Sequence, residues 1–170
     1  MDNLDLLPGG PPKELTEQRA DVVVFACGDP AHGEHDSIAI AACKGLPADV
    51  LERIDLKLTG PMRPEYLRDL SAGTFVIIAD TVPGALGTIE SVHFLDLVGR
   101  EEPLEASSST IQPLDEVIAM AQLVRSEPIR GRFVGLGAEA VDLTSPPEAE
   151  AVEQLRAAVI EAIAEAPPAA

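Results

Sequence analysis

The chain has 170 residues, of which 46% are hydrophobic and only 3% aromatic, a composition that suits one globular domain and excludes a disordered chain. Twelve Lys and Arg residues against 29 Asp and Glu residues give a net charge of -17. This balance argues against nucleic acid or an anionic membrane as the main partner, because both require a positive protein surface.

The compartment is predicted from cysteines and hydropathy. Cys27 and Cys43 are too few for a disulfide scaffold, and apolar runs of about six residues are too short to span a membrane. The sequence does not open with a basic segment followed by an apolar one, as a signal peptide does. We therefore expect a soluble protein of the reducing cytoplasm.

Proline and glycine mark the two ends of the chain. Residues 1–20 are rich in Pro, Gly and charge, and the run Pro8 to Pro12 cannot propagate a helix or a strand. We expect a flexible tail over 1–20, a single α/β domain over 21–165 and a second flexible tail over 166–170.

Strand patterns recur along the domain. Short apolar runs rich in β-branched residues are typical of strands that are buried on both faces. Such runs cover 21–27, 74–79 and 132–136, whereas 54–58 alternates with charged residues and 88–97 follows a Pro-Gly turn. The short link between the strands at 74–79 and 88–97 leaves no room for a crossover helix, so we expect these two strands to pair in antiparallel fashion.

Helical patterns lie between the strands, at 37–43, 64–72, 113–124 and 147–164. The last two repeat apolar residues at spacings of three and four, and Pro64 and Gly73 bracket the second as start and stop signals. Alternating strands and helices predict a three-layer α/β sandwich. It would have a mostly parallel, twisted sheet of about five strands with helices on both faces.

In such a sheet, ligands bind beyond the carboxyl ends of the parallel strands. The segment 28–36 follows the first strand and carries five side chains that bind metals or protons, namely Asp29, His32, Glu34, His35 and Asp36. Imidazole and carboxylate together suit zinc or nickel. The alternative interpretation is a solvated polar loop in which Asp36 caps the following helix.

Two further strand ends offer polar groups. Asp80 follows the apolar run 74–79, and a carboxylate placed there is costly unless it is paired, although it is also suited to capping a turn. Thr59 and Gly60 follow the strand at 54–58, where the glycine either allows a close approach of ligand or simply forms a turn. No phosphate-binding glycine motif is present. Cys27 and Cys43 are interpreted as small core residues and His93 as structural or surface-exposed.

These strand ends resemble those of the hydrogenase maturation proteases, endopeptidases that trim the C-terminus of the [NiFe] hydrogenase large subunit after nickel insertion. The resemblance spans about residues 21–165. The family pattern of an apolar strand followed by G-N-P-x-x-x-D-[DE]-G-x-G is matched by 22–39, with Asp29 in place of Asn. Its Thr-Gly loop is matched by Thr59-Gly60, its strand ending in Asp by 75–80, and its P-G-x-[IVL] segment by 84–89, with Leu86 where Pro usually stands.

The resemblance implies a phosphorylase/hydrolase-like fold, the site residues and the reaction. In the family, two acids and a His bind the nickel carried by the substrate. The first acid maps to Asp36 if the loop holds one inserted residue and to His35 if it does not, and the second maps to Asp80. Where the family has S-x-H, residues 107–112 contain no His, so we expect His32 or His35 to replace it.

The predicted function is therefore removal of the C-terminal extension of a nickel-loaded [NiFe] hydrogenase large-subunit precursor. Asp36 and Asp80 are the expected catalytic residues, and Asp29, Thr59 and Gly60 are expected to bind substrate. The substrate supplies the nickel, and the isolated protein is expected to hold no tightly bound cofactor. Two alternatives remain: a non-cleaving, chaperone-like relative, and an unrelated α/β enzyme that binds a small ligand at the same strand ends.

Overall fold

The structure, a computed structural model, describes residues 22–28, 38–85, 87–98, 101, 112–138 and 149–167. Five strands form one sheet: β1 (Val22–Cys27), β2 (Asp55–Thr59), β3 (Phe75–Val82), β4 (Ile89–His93) and β5 (Arg130–Gly137). The described helices are α1 (Ile38–Lys44), α2 (Ala48–Leu51), α3 (Pro64–Arg68), α4 (Phe94–Val98), α5 (Leu114–Gln122) and α6 (Ala149–Ala164).

The sheet has the strand order β2-β1-β3-β5-β4. β2, β1, β3 and β5 run parallel, and β4 pairs with β5 in antiparallel fashion. The predicted α/β sandwich with about five mostly parallel strands is confirmed. The central strands β1 and β3 are almost entirely buried, which explains why they appear in the sequence as continuous apolar runs.

Side chains on the two faces of the sheet form two separate cores. On the first face, Phe25, Ile78 and Phe133 pack with residues of α3, α4 and α5. On the second face, alternate residues such as Val24 and Ile77 pack with residues of α1, α2 and α6. The period of two along each strand therefore sorts the apolar residues into two layers.

The chain reverses direction at the centre of the sheet. It leaves β1 through α1 and α2 on the second face to reach β2, then returns through α3 on the first face to β3. From β3 it continues away from β1, reaching β5 through β4, α4 and α5, again on the first face. β1 and β3 are thus neighbours whose outgoing connections lie on opposite faces, the arrangement that opens a crevice at the carboxyl ends of parallel strands.

Two predictions about strands were wrong. The apolar stretch assigned to a strand at 88–97 is a strand only as far as His93, and Phe94–Val98 forms α4. Phe94 and Leu97, three residues apart, are buried while Leu95 is exposed, which is the spacing of a helix. The expected pairing of this strand with the preceding one was also wrong, because β5 lies between β3 and β4.

Other boundaries shifted by a few residues. β3 continues through Asp80 and Thr81 to Val82, because it pairs with β5 over its full length. The helix predicted from Pro64 to residue 72 ends at Arg68, and α2 had no counterpart among the predicted helices. The predicted tail at 1–20 lies outside the described residues, as does 168–170 of the other tail. In the part of the chain that the structure describes, no helix has the length and hydropathy needed to cross a membrane.

Candidate active site

Asp80 is the buried acid of the sheet. Only 1% of its surface is exposed, and most of the other residues of β3 are apolar. The backbone N–H of Thr81 donates a hydrogen bond of 2.7 Å to Asp80 Oδ1. A hydrogen bond from an amide to a carboxylate offsets part of the cost of burying the charge and holds the carboxyl group in one orientation.

The strand register places polar residues and two small ones in one row with Asp80. Cys27 pairs with Thr59, Asp80 pairs with Gly135, and Glu90 pairs with the same glycine from the other side. The Ala26–Ala79 pair comes one residue before Cys27 and Asp80, so the row continues across β1 and β3. Paired residues share a face, and Cys27 belongs to the first-face core, so the row lies on that face.

Thr59 and Gly60 lie at the same sheet edge, two strands from Asp80. Both are partly buried, and the Gly28 N–H donates a hydrogen bond of 3.0 Å to the Thr59 carbonyl, which ties the end of β1 to the end of β2. A Cβ added at Gly60 would meet no atom within 4 Å. The backbone at Gly60 therefore borders open space, as expected for a position that a ligand approaches closely.

The wall beside Asp80 depends on two glycines that the sequence analysis did not single out. A Cβ at Gly135 would come within 2.6 Å of the Phe133 ring. A Cβ at Gly137 would meet the Ala85 carbonyl oxygen, because the loop after β3 crosses over the end of β5 at this point. The Gly137 N–H donates a hydrogen bond of 2.8 Å to the Thr88 carbonyl at this crossing. In the sequence, the available signal for Gly135 was that it interrupts the apolar run 132–136.

The first-loop candidates Asp29, His32, His35 and Asp36 lie outside the described residues, as does 107–111 of the segment without a His. Gly28, which precedes Asp29 in the chain, directly follows β1 at the same edge of the sheet as Asp80. Among the described residues, no group of three or more His, Cys, Asp or Glu side chains is placed to hold a metal ion. The roles given to the first-loop residues stay predictions.

The remaining candidates are two cysteines, which are buried, and one histidine, which is exposed. Cys27 and Cys43 are both buried free thiols in the two cores. Burial raises the pKa of the Cys43 thiol to about 12, against a smaller opposite effect of Arg156, so this thiol is protonated near neutral pH. His93 is exposed on β4, where it contacts the Arg132 guanidinium.

The similarity of this chain to known proteins lies in its fold. No protein-family model and no curated protein matches the chain. Solved structures do match. The hydrogenase maturating endopeptidase HybD from E. coli is 18% identical with a TM-score of 0.61, and the match covers 87% of this chain and 97% of that one. The fold is that of the hydrogenase maturation proteases.

Two archaeal structures agree with this result. The [NiFe] hydrogenase maturation protease HycI from Thermococcus kodakarensis KOD1 is 15% identical with a TM-score of 0.61, covering 90% of this chain and 96% of that one. HybD from Thermococcus kodakarensis is 13% identical with a TM-score of 0.63, covering 86% and 99%. These maturation proteases therefore match along nearly their full length, and the resemblance first seen at the strand ends extends through the whole fold.

Proposed function

We propose that this protein is an endopeptidase that removes the C-terminal extension of a nickel-loaded [NiFe] hydrogenase large subunit. The reaction is hydrolysis of one peptide bond: water adds to the carbonyl carbon, the C–N bond breaks, and the products are a new C-terminal carboxylate and a free amine. The precursor brings the nickel to the reaction as part of the substrate.

The observation that carries the proposal is a buried carboxylate at the switch point of this particular fold. Asp80 lies on β3 beside the end of β1, where the outgoing connections diverge, and it is 1% exposed. An apolar strand keeps a carboxylate at such a position only where the charge is compensated. The solved proteins with this fold are named maturation proteases, and they match along almost their whole length.

The proposed roles follow from the chemistry of the residues. Asp80 and Asp36 hold the metal ion that the precursor carries, and His32 or His35 completes the set of ligands. The metal then positions or polarises the scissile peptide or activates a water molecule. Thr59, Gly60 and Asp29 contact the precursor, and the open backbone at Gly60 supports this role for the glycine.

Mass spectrometry of the large subunit tests the proposal. The nickel-loaded precursor is incubated with and without the protein, and its intact mass is followed over time. We expect a C-terminal truncation only when the protein is present. Asp80→Asn should lower the rate by about 100-fold or more, because the amide keeps the acceptor for the Thr81 N–H but loses the charge.

The matched control is Asp69→Asn, which makes the same change at an exposed carboxylate beside Arg68. It should leave the rate within about twofold of the original, since exposed ion pairs contribute little. Equal rates for the Asp80→Asn and unsubstituted proteins would contradict the role given to Asp80. An intact precursor in every sample would contradict peptidase activity.

The second candidate function is a non-cleaving protein that binds the same subunit. The absence of a His from 107–112, where the family has S-x-H, favours it. In that case the precursor keeps its mass but elutes together with the protein in size-exclusion chromatography. Neither cleavage nor binding would leave the third alternative, an α/β enzyme that shares only the fold.

The replacement of the third ligand has its own test. His32→Ala and His35→Ala are titrated with nickel by calorimetry, in the presence of the precursor's metal-bearing segment. Loss of one imidazole from a three-ligand site should weaken nickel binding in at least one variant. Unchanged affinity in both variants would rule out the replacement.

A further inference from the structure

An apolar groove lies on the first face of the sheet, at the edge opposite Asp80. It has a volume of about 730 Å³ and runs between α4 and the C-terminal part of α5. Leu95 and Val98 form one side, Ile118 and Leu123 form the other, and residues 126–129 close one end. The chain leading into β5 therefore borders the groove.

The groove exposes large apolar side chains next to one another. Leu95 is 80% exposed and Leu123 is 84% exposed, and Val98 also has more than half of its surface in solvent. Single exposed leucines are common, but a contiguous group on two adjacent helices usually marks an interaction surface. Covering these side chains with an apolar partner would remove a large apolar area from water.

The groove is remote from the candidate active site. Ile129 borders the groove, and Gly135, which pairs with Asp80, comes six residues later along β5. Six residues of strand span about 20 Å. A partner seated in the groove would therefore leave the carboxyl ends of β1 and β3 open.

The charges around the groove select its occupant. Glu127 lines the groove, and Asp96 is exposed on α4 beside Leu95. Two described arginines adjoin groove residues in the sequence, and both are engaged elsewhere. Arg125 donates hydrogen bonds to the carbonyl oxygens of Leu67, at 3.2 Å, and Leu70, at 2.7 Å. Arg130 donates one of 3.4 Å to the Gly73 carbonyl oxygen. An apolar floor with an acidic rim complements a segment that is apolar on one side and basic at its flanks.

We propose that this groove binds an amphipathic helix with Lys or Arg flanks, presented by a partner protein. A floor made of two helices offers side chains but no free strand edge, which is how grooves receive helices. A second copy of this chain is disfavoured, because each copy has a net charge of -17. The chain's own segment 1–20 is also disfavoured, because it carries more acidic than basic residues.

The test uses two synthetic helices of 18 residues, one built of Leu and Lys and the other of Leu and Glu. Fluorescence anisotropy with the full-length protein should show binding of the Leu/Lys helix alone. Leu123→Asp should weaken this binding by about tenfold or more, because it places a charge in the apolar floor. It also adds negative charge, so simple attraction between the protein and a basic peptide predicts the opposite change.

The control is Leu58→Asp, which adds the same charge at a leucine that is 46% exposed on β2, at the far side of the sheet. It should change the affinity by less than about twofold. Equal binding of both peptides, or equal affinity of the Leu123→Asp and unsubstituted proteins, would overturn the proposal. So would a dimer in light scattering that Leu123→Asp dissociates, since the occupant would then be a second copy. None of these readouts depends on cleavage of the hydrogenase subunit.

Discussion

The two faces of the sheet pack their helices with side chains of different size. The first face carries large rings, since Phe25 and Phe133 of the sheet pack with residues of α3, α4 and α5. The second face is built of smaller side chains, including several alanines of α1 and α6. On both faces an arginine also donates hydrogen bonds to carbonyl oxygens near a helix C-terminus, Arg125 at the end of α3 and Arg156 at the end of α1. The comparison teaches that close packing and directed hydrogen bonds act together, and that each fails under a different substitution.

The first face depends on a close approach of Phe94 to the backbone of β5. A Cβ at Gly131 would lie 2.6 Å from the Phe94 ring and would also clash with the Val76 carbonyl oxygen. Gly131→Ala should therefore destabilise the protein by about 3 kcal/mol, because neither the ring nor the strand has room to move. Urea unfolding followed by circular dichroism measures this change.

Gly60→Ala is the control for that substitution. Its added methyl group would meet no atom within 4 Å, so the free energy of unfolding should change by less than about 0.5 kcal/mol. Equal losses for Gly131→Ala and Gly60→Ala would contradict a steric origin on the first face, because the methyl group at Gly60 meets no atom and backbone entropy alone would favour alanine.

The second face depends on Arg156 of α6. Its Nε donates a hydrogen bond of 3.0 Å to the Ala42 carbonyl, near the C-terminus of α1, and its guanidinium also contacts the Glu153 carboxylate. A cation at a helix C-terminus satisfies carbonyl groups and the helix dipole together. Arg156→Ala should destabilise the protein by about 2 kcal/mol in urea unfolding, since charged hydrogen bonds exceed neutral ones.

Salt and a second variant separate the possible causes. Arg156→Lys keeps the charge but loses the planar group, so it should recover less than half of the stability. If the loss of stability in Arg156→Ala disappears in 1 M NaCl, Arg156 acts only through a screened surface charge and not through its hydrogen bond to α1.

The titration of Cys43 tests whether the core on the second face excludes water. Burial raises the pKa of the Cys43 thiol from an ordinary value of 9.0 to about 12, so the folded protein keeps the thiol proton above the pH at which the unfolded chain loses it. The stability contributed by this group is present below pH 9 and declines as the pH rises toward 12. At pH 10 the expected loss is on the order of 1 kcal/mol.

Unfolding of the original protein and of Cys43→Ala at pH 7.5 and pH 10 measures this loss. The alanine variant should lack the part of the alkaline decline that Cys43 causes, so the gap between the two proteins should narrow at pH 10. A constant gap would contradict burial of the thiol. Slow reaction of Cys43 with a thiol reagent at pH 8 would accompany the predicted result, since the thiolate is the reactive form.

Much of this fold was predictable from the sequence because three of the five strands, β1, β3 and β5, contain short apolar runs bounded by turns. Val22–Cys27 and Phe75–Val82 are buried on both faces, and burial on both faces leaves an unmistakable continuous pattern. The strand predicted over 88–97 was wrong beyond His93 because the apolar pattern there is ambiguous. Short apolar runs suit a strand or a helix equally, and only packing of Phe94 and Leu97 on the first face decides between them.

The candidate site was predictable in part. The position of Asp80 after an apolar run pointed to the ligand-binding edge, and Asp80 is indeed buried there, though within the strand and not beyond it. The roles of Gly135 and Gly137 were not predictable, because they depend on the ring of Phe133 and on a loop crossing from elsewhere in the chain. Contacts between distant segments leave no local pattern in the sequence.

The place of β5 inside the sheet also fixes the order in which the sheet can be completed. β5 is the last of the described strands, yet it lies between β3 and β4, and β4 pairs with no other described strand. A nascent chain that ends before Arg130 therefore has an unpaired edge on β3 and no partner for β4. Strand pairing across such long stretches of chain is slow, and unpaired edges favour association with other chains. We expect this protein to be most prone to aggregation during synthesis, in the interval before β5 has left the ribosome.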